Sequence, residues 1–216
     1  MNGDWIRTNG CLRRHEGSDV GQCLDGHPES EASTTRRRLL GAVGTGALLG
    51  LAGCLGTETP DPVTLTDSDA CDVCRMIIPH HPGPSAEVFY RNKDPSDHEN
   101  PARFDSTWEA FQYDFERRDR GWTRSAFYVT DYSAVDYEVL TDGGRPLIST
   151  HPEASAFVLA SDVTFVVASS VEGAMGRDLI GFGDEADARM FRDDYGGELA
   201  AFGEVTRSMI AELSGT

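Results

Sequence analysis

Two thiols and a thioether lie within one short stretch, Cys71-Asp-Val-Cys74-Arg-Met76. Thiolate and thioether sulfurs are soft, polarisable donors, and their combination selects copper(I) over hard cations. Zinc prefers four Cys, His or carboxylate ligands in a closed tetrahedral set, usually with a second Cys pair or a His pair. Beyond Cys54 the chain has no second cysteine pair, so zinc is expected to bind much more weakly than copper. A further thioether, Met175, stands in Gly-Ala-Met-Gly. Copper(I) is content with two or three ligands, and His80, His81, His98 or His151 are further donors that could complete the set. Of these, His80 and His81 are nearest to the cysteines in sequence. On the residues alone three other readings stay open. Cys71 and Cys74 could form a structural disulfide. They could form a thiol-disulfide redox pair, although Arg75-Met76-Ile77-Ile78-Pro79 is a poor start for the helix such a pair normally opens. Met76 could simply pack beside Ile77 and Ile78.

Upstream of this cluster the chain reads as an address. Arg36, Arg37 and Arg38 precede fifteen uncharged, mostly small or apolar residues from Leu39 to Gly53. That run is too short and glycine-rich to span a bilayer, but it suits the apolar region of a signal peptide over 34–53. The paired arginines resemble a twin-arginine export signal. Leu51-Ala52-Gly53-Cys54 resembles a lipobox, in which Cys54 is lipid-modified and becomes the mature amino terminus. The expected location is therefore the outer face of the cytoplasmic membrane, with the domain outside and held by lipid. Residues 1–33 form a polar extension without apolar periodicity, consistent either with the extended polar start of a twin-arginine signal or with a start codon placed too far upstream. Residues 54–69, rich in Gly, Thr, Pro and Asp, read as a flexible tether, and the folded domain is expected over 70–213.

Charge narrows the function classes. The chain carries 19 Lys and Arg against 36 Asp and Glu, a net charge of −17. From Cys54 onward the balance is 13 basic against 30 acidic residues, with Lys93 the single lysine of the chain. Such a surface repels nucleic acid, so no nucleic-acid partner is expected. Acid excess with lysine depletion is the pattern of a protein adapted to high salt, where ions screen self-repulsion. The sequence also lacks a Ser-His-Asp pattern, a phosphate-binding glycine loop and any motif marking a paired-carboxylate site. Hydrolysis and group transfer are not expected, and a carrier rather than an enzyme is.

The elements that must position the cluster are legible in part. Ser85 to Tyr90 reads as a strand, followed by a polar loop over Arg91 to Ala102. A helix then starts at Ser106, with Glu109 completing a capping box and Trp108, Phe111 and Phe115 on one face. Gly121 lies past its end, and Ala126 to Thr130 is the next strand. Val163 to Ser169 is rich in β-branched residues and reads as a strand, as does Leu179 to Phe182. Asp184 opens a second helix with Ala188, Phe191 and Tyr195 aligned, Gly196 and Gly197 stop it, and Leu199 to Phe202 returns as a strand. Phe104, Asp105 and Trp108 read as core and cap. The two halves echo each other as strand, capped helix, glycine stop and strand, each preceded by a loop methionine.

Cys74-Arg-Met76-Ile77-Ile78, Pro82-Gly-Pro-Ser-Ala-Glu87, Phe104-Asp105, Ala126-Phe-Tyr-Val-Thr-Asp-Tyr132, Gly173-Ala-Met-Gly176 and Tyr195-Gly-Gly-Glu198 together resemble the NosL family in order and spacing. The resemblance runs over about residues 70 to 206. It implies a copper(I)-binding lipoprotein that assists maturation of nitrous-oxide reductase, with the apo-enzyme and its maturation transporter as partners. It also implies an α+β fold of two ββαβ-type repeats in one mature domain. As metal ligands it points first to Cys74 and Met76, then to Met175, then to Cys71. The family motif usually has Gly where Arg75 stands and often Pro where Ala174 stands. The alternative function is a lipid-anchored thiol-disulfide reductant using Cys71 and Cys74.

Overall fold

The computed structural model describes residues 58–95 and 97–214. The polar extension, Arg36 to Arg38, the apolar run and Cys54 lie outside them. Among the described residues no helix is long and apolar enough to cross a membrane.

The chain first forms strand β1 (Ala86–Tyr90), the short β2 (Ala102–Phe104), helix α1 (Thr107–Asp119) and β3 (Arg124–Thr130). A hairpin of β4 (Val139–Asp142) and β5 (Arg145–Ile148) follows, then β6 (Phe157–Leu159). The last third comprises β7 (Thr164–Gly173), β8 (Gly176–Phe182), helix α2 (Glu185–Tyr195), β9 (Glu198–Ala201) and helix α3 (Arg207–Leu213). One antiparallel sheet has the order β2-β1-β3-β6, and a second has β4-β5-β7-β8 with β9 also on β7. The class is α+β, as expected. In the first sheet β1 lies between β2 and β3, with α1 in the connection; in the second, β7 lies between β8 and β9, with α2 in the connection.

All five residues of β1 are buried, including Glu87. Alternation along the strand explains how both faces are covered. Tyr90 packs near Tyr113 of α1, and Phe127 of β3 stacks on Phe111 of the same helix. Glu87 and Phe89 point the other way, where Phe89 meets Tyr128 edge-on. The cover on that side is the stretch expected to be a tether. Leu65 is 2 % exposed, the Val63 N–H donates to Glu87 at 3.1 Å, and Tyr128 Oη donates to the Pro60 carbonyl at 2.8 Å. The packed domain therefore begins near Pro60 rather than Ala70. Val63 and Leu65, isolated among polar residues, supply the apolar contact that lays this segment on the sheet. Burial pushes the Glu87 carboxyl up to about 7.

Helix α1 is held at its start by two acceptors. Ser106 Oγ accepts from the Glu109 N–H at 3.2 Å, as the sequence led us to expect. The second is Asp178 of β8, wholly buried, which accepts from the Trp108 N–H and from Ser106 Oγ at 2.8 and 2.7 Å. A carboxylate at a helix amino terminus is favoured by the exposed N–H groups and the dipole there. Here it also fixes the first turn of α1 to the second sheet. From the same first turn Trp108 Nε1 donates to the Ile210 carbonyl of α3 at 2.7 Å.

Candidate metal centre

The cysteines lie on a loop that closes upon itself. Ala70 and Ile77 form an antiparallel bridge, the Cys71 N–H donates to the Met76 carbonyl at 2.8 Å, and the Arg75 N–H donates to the Cys71 carbonyl at 3.0 Å. The loop docks on edge strand β2 through Asp72. The Asp72 N–H donates to the Arg103 carbonyl at 2.9 Å, and the Asp72 carboxylate accepts from the Arg103 N–H at 2.8 Å. Arg103 also pairs with Asp69. So tight a turn requires one residue in the left-handed region, and Arg75, at φ 67°, is that residue.

This explains what an arginine costs at a position where glycine would be unstrained. A side chain there is unfavourable by about 1–2 kcal/mol, part of which glycine's freer unfolded state would cancel. The Arg75–Asp97 pair, 3.1 Å apart and exposed on both sides, contributes little in return. Arg75→Gly is therefore expected to stabilise the domain by about 1 kcal/mol, raising its melting midpoint by about 2–4 °C. A lower midpoint by calorimetry would show that the side chain carries more than its ion pair.

Two buried carboxylates face the sulfurs. Strand β2 delivers Asp105 just ahead of the helix cap, and the first turn of α1 delivers Glu109; each is 1 % exposed. Cys71 Sγ donates to Glu109 Oε2 at 2.9 Å, and Cys74 Sγ lies 3.4 Å from both oxygens of Asp105. One donor atom from each of Cys71, Cys74, Asp105 and Glu109 falls within 4.8 Å of all the others. Among the described residues no Arg, Lys or His forms an ion pair with either carboxylate. The expected capping box is thus only half formed. Ser106 caps the helix, but the Glu109 carboxylate turns to Cys71, while Asp178 supplies the second acceptor at the helix start. The signal that could have marked the pair is its spacing: a carboxylate one residue before the cap and one in the first turn share a side of the helix entrance.

The thiols are free. Burial pushes the Cys71 thiol far above its ordinary value, and the charge of Asp105 and the bond to Glu109 add to the effect. Cys74 is pushed up to about 11, mainly by burial, against the pull of the Met76 N–H. Burial likewise raises Glu109 to about 7. A redox Cys-x-x-Cys works because its thiol pKa is lowered; this environment does the reverse.

The remaining candidates divide. Met76 is half-buried on the cysteine loop itself. Met175 is exposed in the turn between β7 and β8, where Gly173 pairs with Gly176. That turn borders the site: a Cβ placed on Gly83 would lie 2.9 Å from Ala174 N and 3.0 Å from the Asp105 carbonyl oxygen. The histidines are occupied elsewhere. His80 contacts Asp67, His98 contacts Asp72, and His151 contacts Ser149; none belongs to the four-donor cluster, nor does the half-buried His81.

The NosL family model matches residues 62–210, the cysteine loop, both sheets and all but the end of α3 included. The chain belongs to the NosL family. It is 29 % identical to the copper-binding lipoprotein NosL of Stutzerimonas stutzeri over 80 % of this chain and 85 % of that one. The crystal structure of the copper chaperone NosL from Shewanella denitrificans superposes with a TM-score of 0.54 at 29 % identity, covering 67 % of this chain and 94 % of the other. Both NosL relatives are described as copper proteins and neither as an enzyme. Within this NosL chain, Asp105 and Glu109 are the site residues that sequence reading assigned to other duties.

Proposed function

We propose that this NosL chain is a lipid-anchored carrier that holds copper(I) outside the membrane and hands it to an apo-enzyme. The observation that carries the reading is the layered arrangement of donors. Cys71, Asp105 and Glu109 are buried, while Cys74 and Met76 are half-buried and Met175 is exposed. Three of the four soft sulfur donors that suit copper(I), those of Cys74, Met76 and Met175, thus form the outer rim, where an acceptor can reach them. Cys74 and Met76 are its primary ligands, with Met175 closing from the neighbouring turn and Cys71 behind. Copper is the cargo, so a site open on one side suits release. The raised thiol pKa values speak against the reductant alternative, which needs a thiolate ready to attack.

Anchoring runs through Cys54, after export directed by Arg36, Arg37 and Arg38. The likeness to the Stutzerimonas lipoprotein covers 80 % of the chain, more than the stretch from Cys54 to the end can supply, so it continues into the leader. The recipient is nitrous-oxide reductase, served together with its maturation transporter. Purified from membranes under reducing conditions, the mature chain should begin at a lipid-modified Cys54. It should take up about one copper(I) with sulfur in the first coordination shell by X-ray absorption. A shell of nitrogen and oxygen alone would exclude the carrier mechanism.

A further inference from the structure

Asp105 and Glu109 play no part in copper(I) binding by soft donors, yet they are the most deeply buried charged groups of the site. Burying a carboxylate is expensive unless it is paired or coordinates a cation. Neither has a basic partner among the described residues, and each turns its oxygens to a cysteine sulfur, at 2.9 Å from Cys71 and 3.4 Å from Cys74. Two sulfurs and two oxygens make the donor set that borderline divalent ions of the zinc class accept.

Geometry agrees with chemistry. With Zn–S near 2.3 Å and Zn–O near 2.0–2.2 Å, the donors of a tetrahedral site stand about 3.3–3.8 Å apart. Here all four lie within 4.8 Å of one another; the Cys74–Asp105 pair already stands at 3.4 Å, and the hydrogen-bonded Cys71–Glu109 pair, at 2.9 Å, has to open slightly. Closing the set needs movements of about 1 Å at most, within the reach of side-chain rotation. The donors come from two places that are each fixed. The loop is clamped on β2 through Asp72, and the start of α1 is clamped on β8 through Asp178.

We infer that the cluster of Cys71, Cys74, Asp105 and Glu109 is a second, inward-facing binding mode, for a zinc-class divalent ion in tetrahedral S₂O₂ coordination. It shares the cysteine pair with the copper(I) mode of the proposed function, so the two loads exclude each other. The outward thioethers, Met76 and Met175, serve copper alone; the inward carboxylates serve the divalent ion. Oxygen donors that folding brings in from 31 and 38 residues downstream take the place of the missing second Cys or His pair.

The test is a titration of the reduced full chain with Co²⁺ as a visible stand-in for zinc. Tetrahedral binding should give a strong thiolate-to-cobalt charge-transfer band and intense visible bands. Outer-sphere changes at metal sites cost about 10–100-fold in affinity, so removing a direct ligand by Asp105→Asn or Glu109→Gln should cost about a hundredfold or more. Met76→Leu and Met175→Leu should leave the cobalt titration as in the unaltered chain. Failure of those two to weaken copper(I) would count against the copper reading alone. Should a carboxylate variant fail to fold, X-ray absorption of the unaltered zinc form decides, with two sulfur and two oxygen neighbours expected. Cobalt spectra without charge transfer, a zinc shell lacking either sulfur or carboxylate oxygen, or carboxylate variants that bind cobalt normally would each overturn the inference.

Discussion

Replacing Cys74 with Ser lowers copper(I) affinity by about a hundredfold or more, the largest loss expected from any single change at the rim. Even outer-sphere partners of a metal are worth about 10–100-fold, and Cys74 supplies, nearest the surface, the thiol sulfur that becomes anionic on binding. Its thiol, raised to about 11, releases its proton more readily than the wholly buried Cys71, which is pushed up much further and donates to Glu109. Met76→Leu keeps volume and apolarity while deleting the thioether, so folding survives and copper affinity falls by about tenfold. Cys71→Ser and Met175→Leu follow with smaller losses, the first because the sulfur lies behind the rim and the second because its turn only closes over it. Competition titration under reducing conditions gives the order directly. Should Met76→Leu bind copper normally while Cys71→Ser abolishes function, a thiol-disulfide enzyme would explain the chain better.

Gly83→Ala is expected to destabilise the domain by about 3 kcal/mol and to loosen the site with it. Two effects add. At φ +131° the backbone occupies a region that side chains rarely adopt, worth about 1–3 kcal/mol. An added Cβ would also meet Ala174 N at 2.9 Å and both the Asp105 carbonyl oxygen and Gly173 Cα at 3.0 Å. All three are backbone atoms, so no side chain can swing aside, and overpacking of this kind costs a further 1–3 kcal/mol or so. The atoms that must part belong to the Asp105 turn and the Met175 turn, so copper affinity should fall alongside the melting midpoint, which drops by on the order of 10 °C. Gly121→Ala provides the contrast. It has φ +81° but nothing within 4 Å of a Cβ, so it adds strain without collision and lies far from the metal chemistry in sequence. A Gly83→Ala domain that melts normally would mean that the two turns can separate freely.

Local signals carried much of the fold. Ser106 and Asp184 cap the two helices expected of them, and β1, β3, β8 and β9 fall on the apolar runs that marked them. Elements of three or four residues, such as β2 and β6, have too few positions to show a period; they exist because β1 and β3 offer them hydrogen-bonding edges. Strand β7 runs past its apolar stretch because Ala168, at φ 60°, makes a break in register after Val167 and lets pairing resume at Glu172. Helix α3, only seven residues long, is too short to declare a period, although its Ile210 and Leu213 are buried. At the site, the sulfur half was legible because both cysteines and Met76 sit in one stretch. The oxygen half was not, because capping and packing already accounted for Glu109 and Asp105 locally. Their contact with the cysteines depends on folding across 31 to 38 residues, and nothing in either neighbourhood announces it.

The hydrogen bond from Tyr128 to the Pro60 carbonyl has a consequence for reach. It secures the chain to the sheet only six peptide links beyond Cys54. At about 3.3–3.6 Å per residue, those links extend to roughly 20 Å. Were Cys54 lipidated as proposed, such a protein could not hover far from the bilayer or sample a wide hemisphere around its attachment point. Its search for an acceptor would be confined to a thin layer above the membrane, where it would travel by lateral diffusion. Any recipient would then have to enter that layer, or be presented there by a membrane-resident machine, before the metal could change hands.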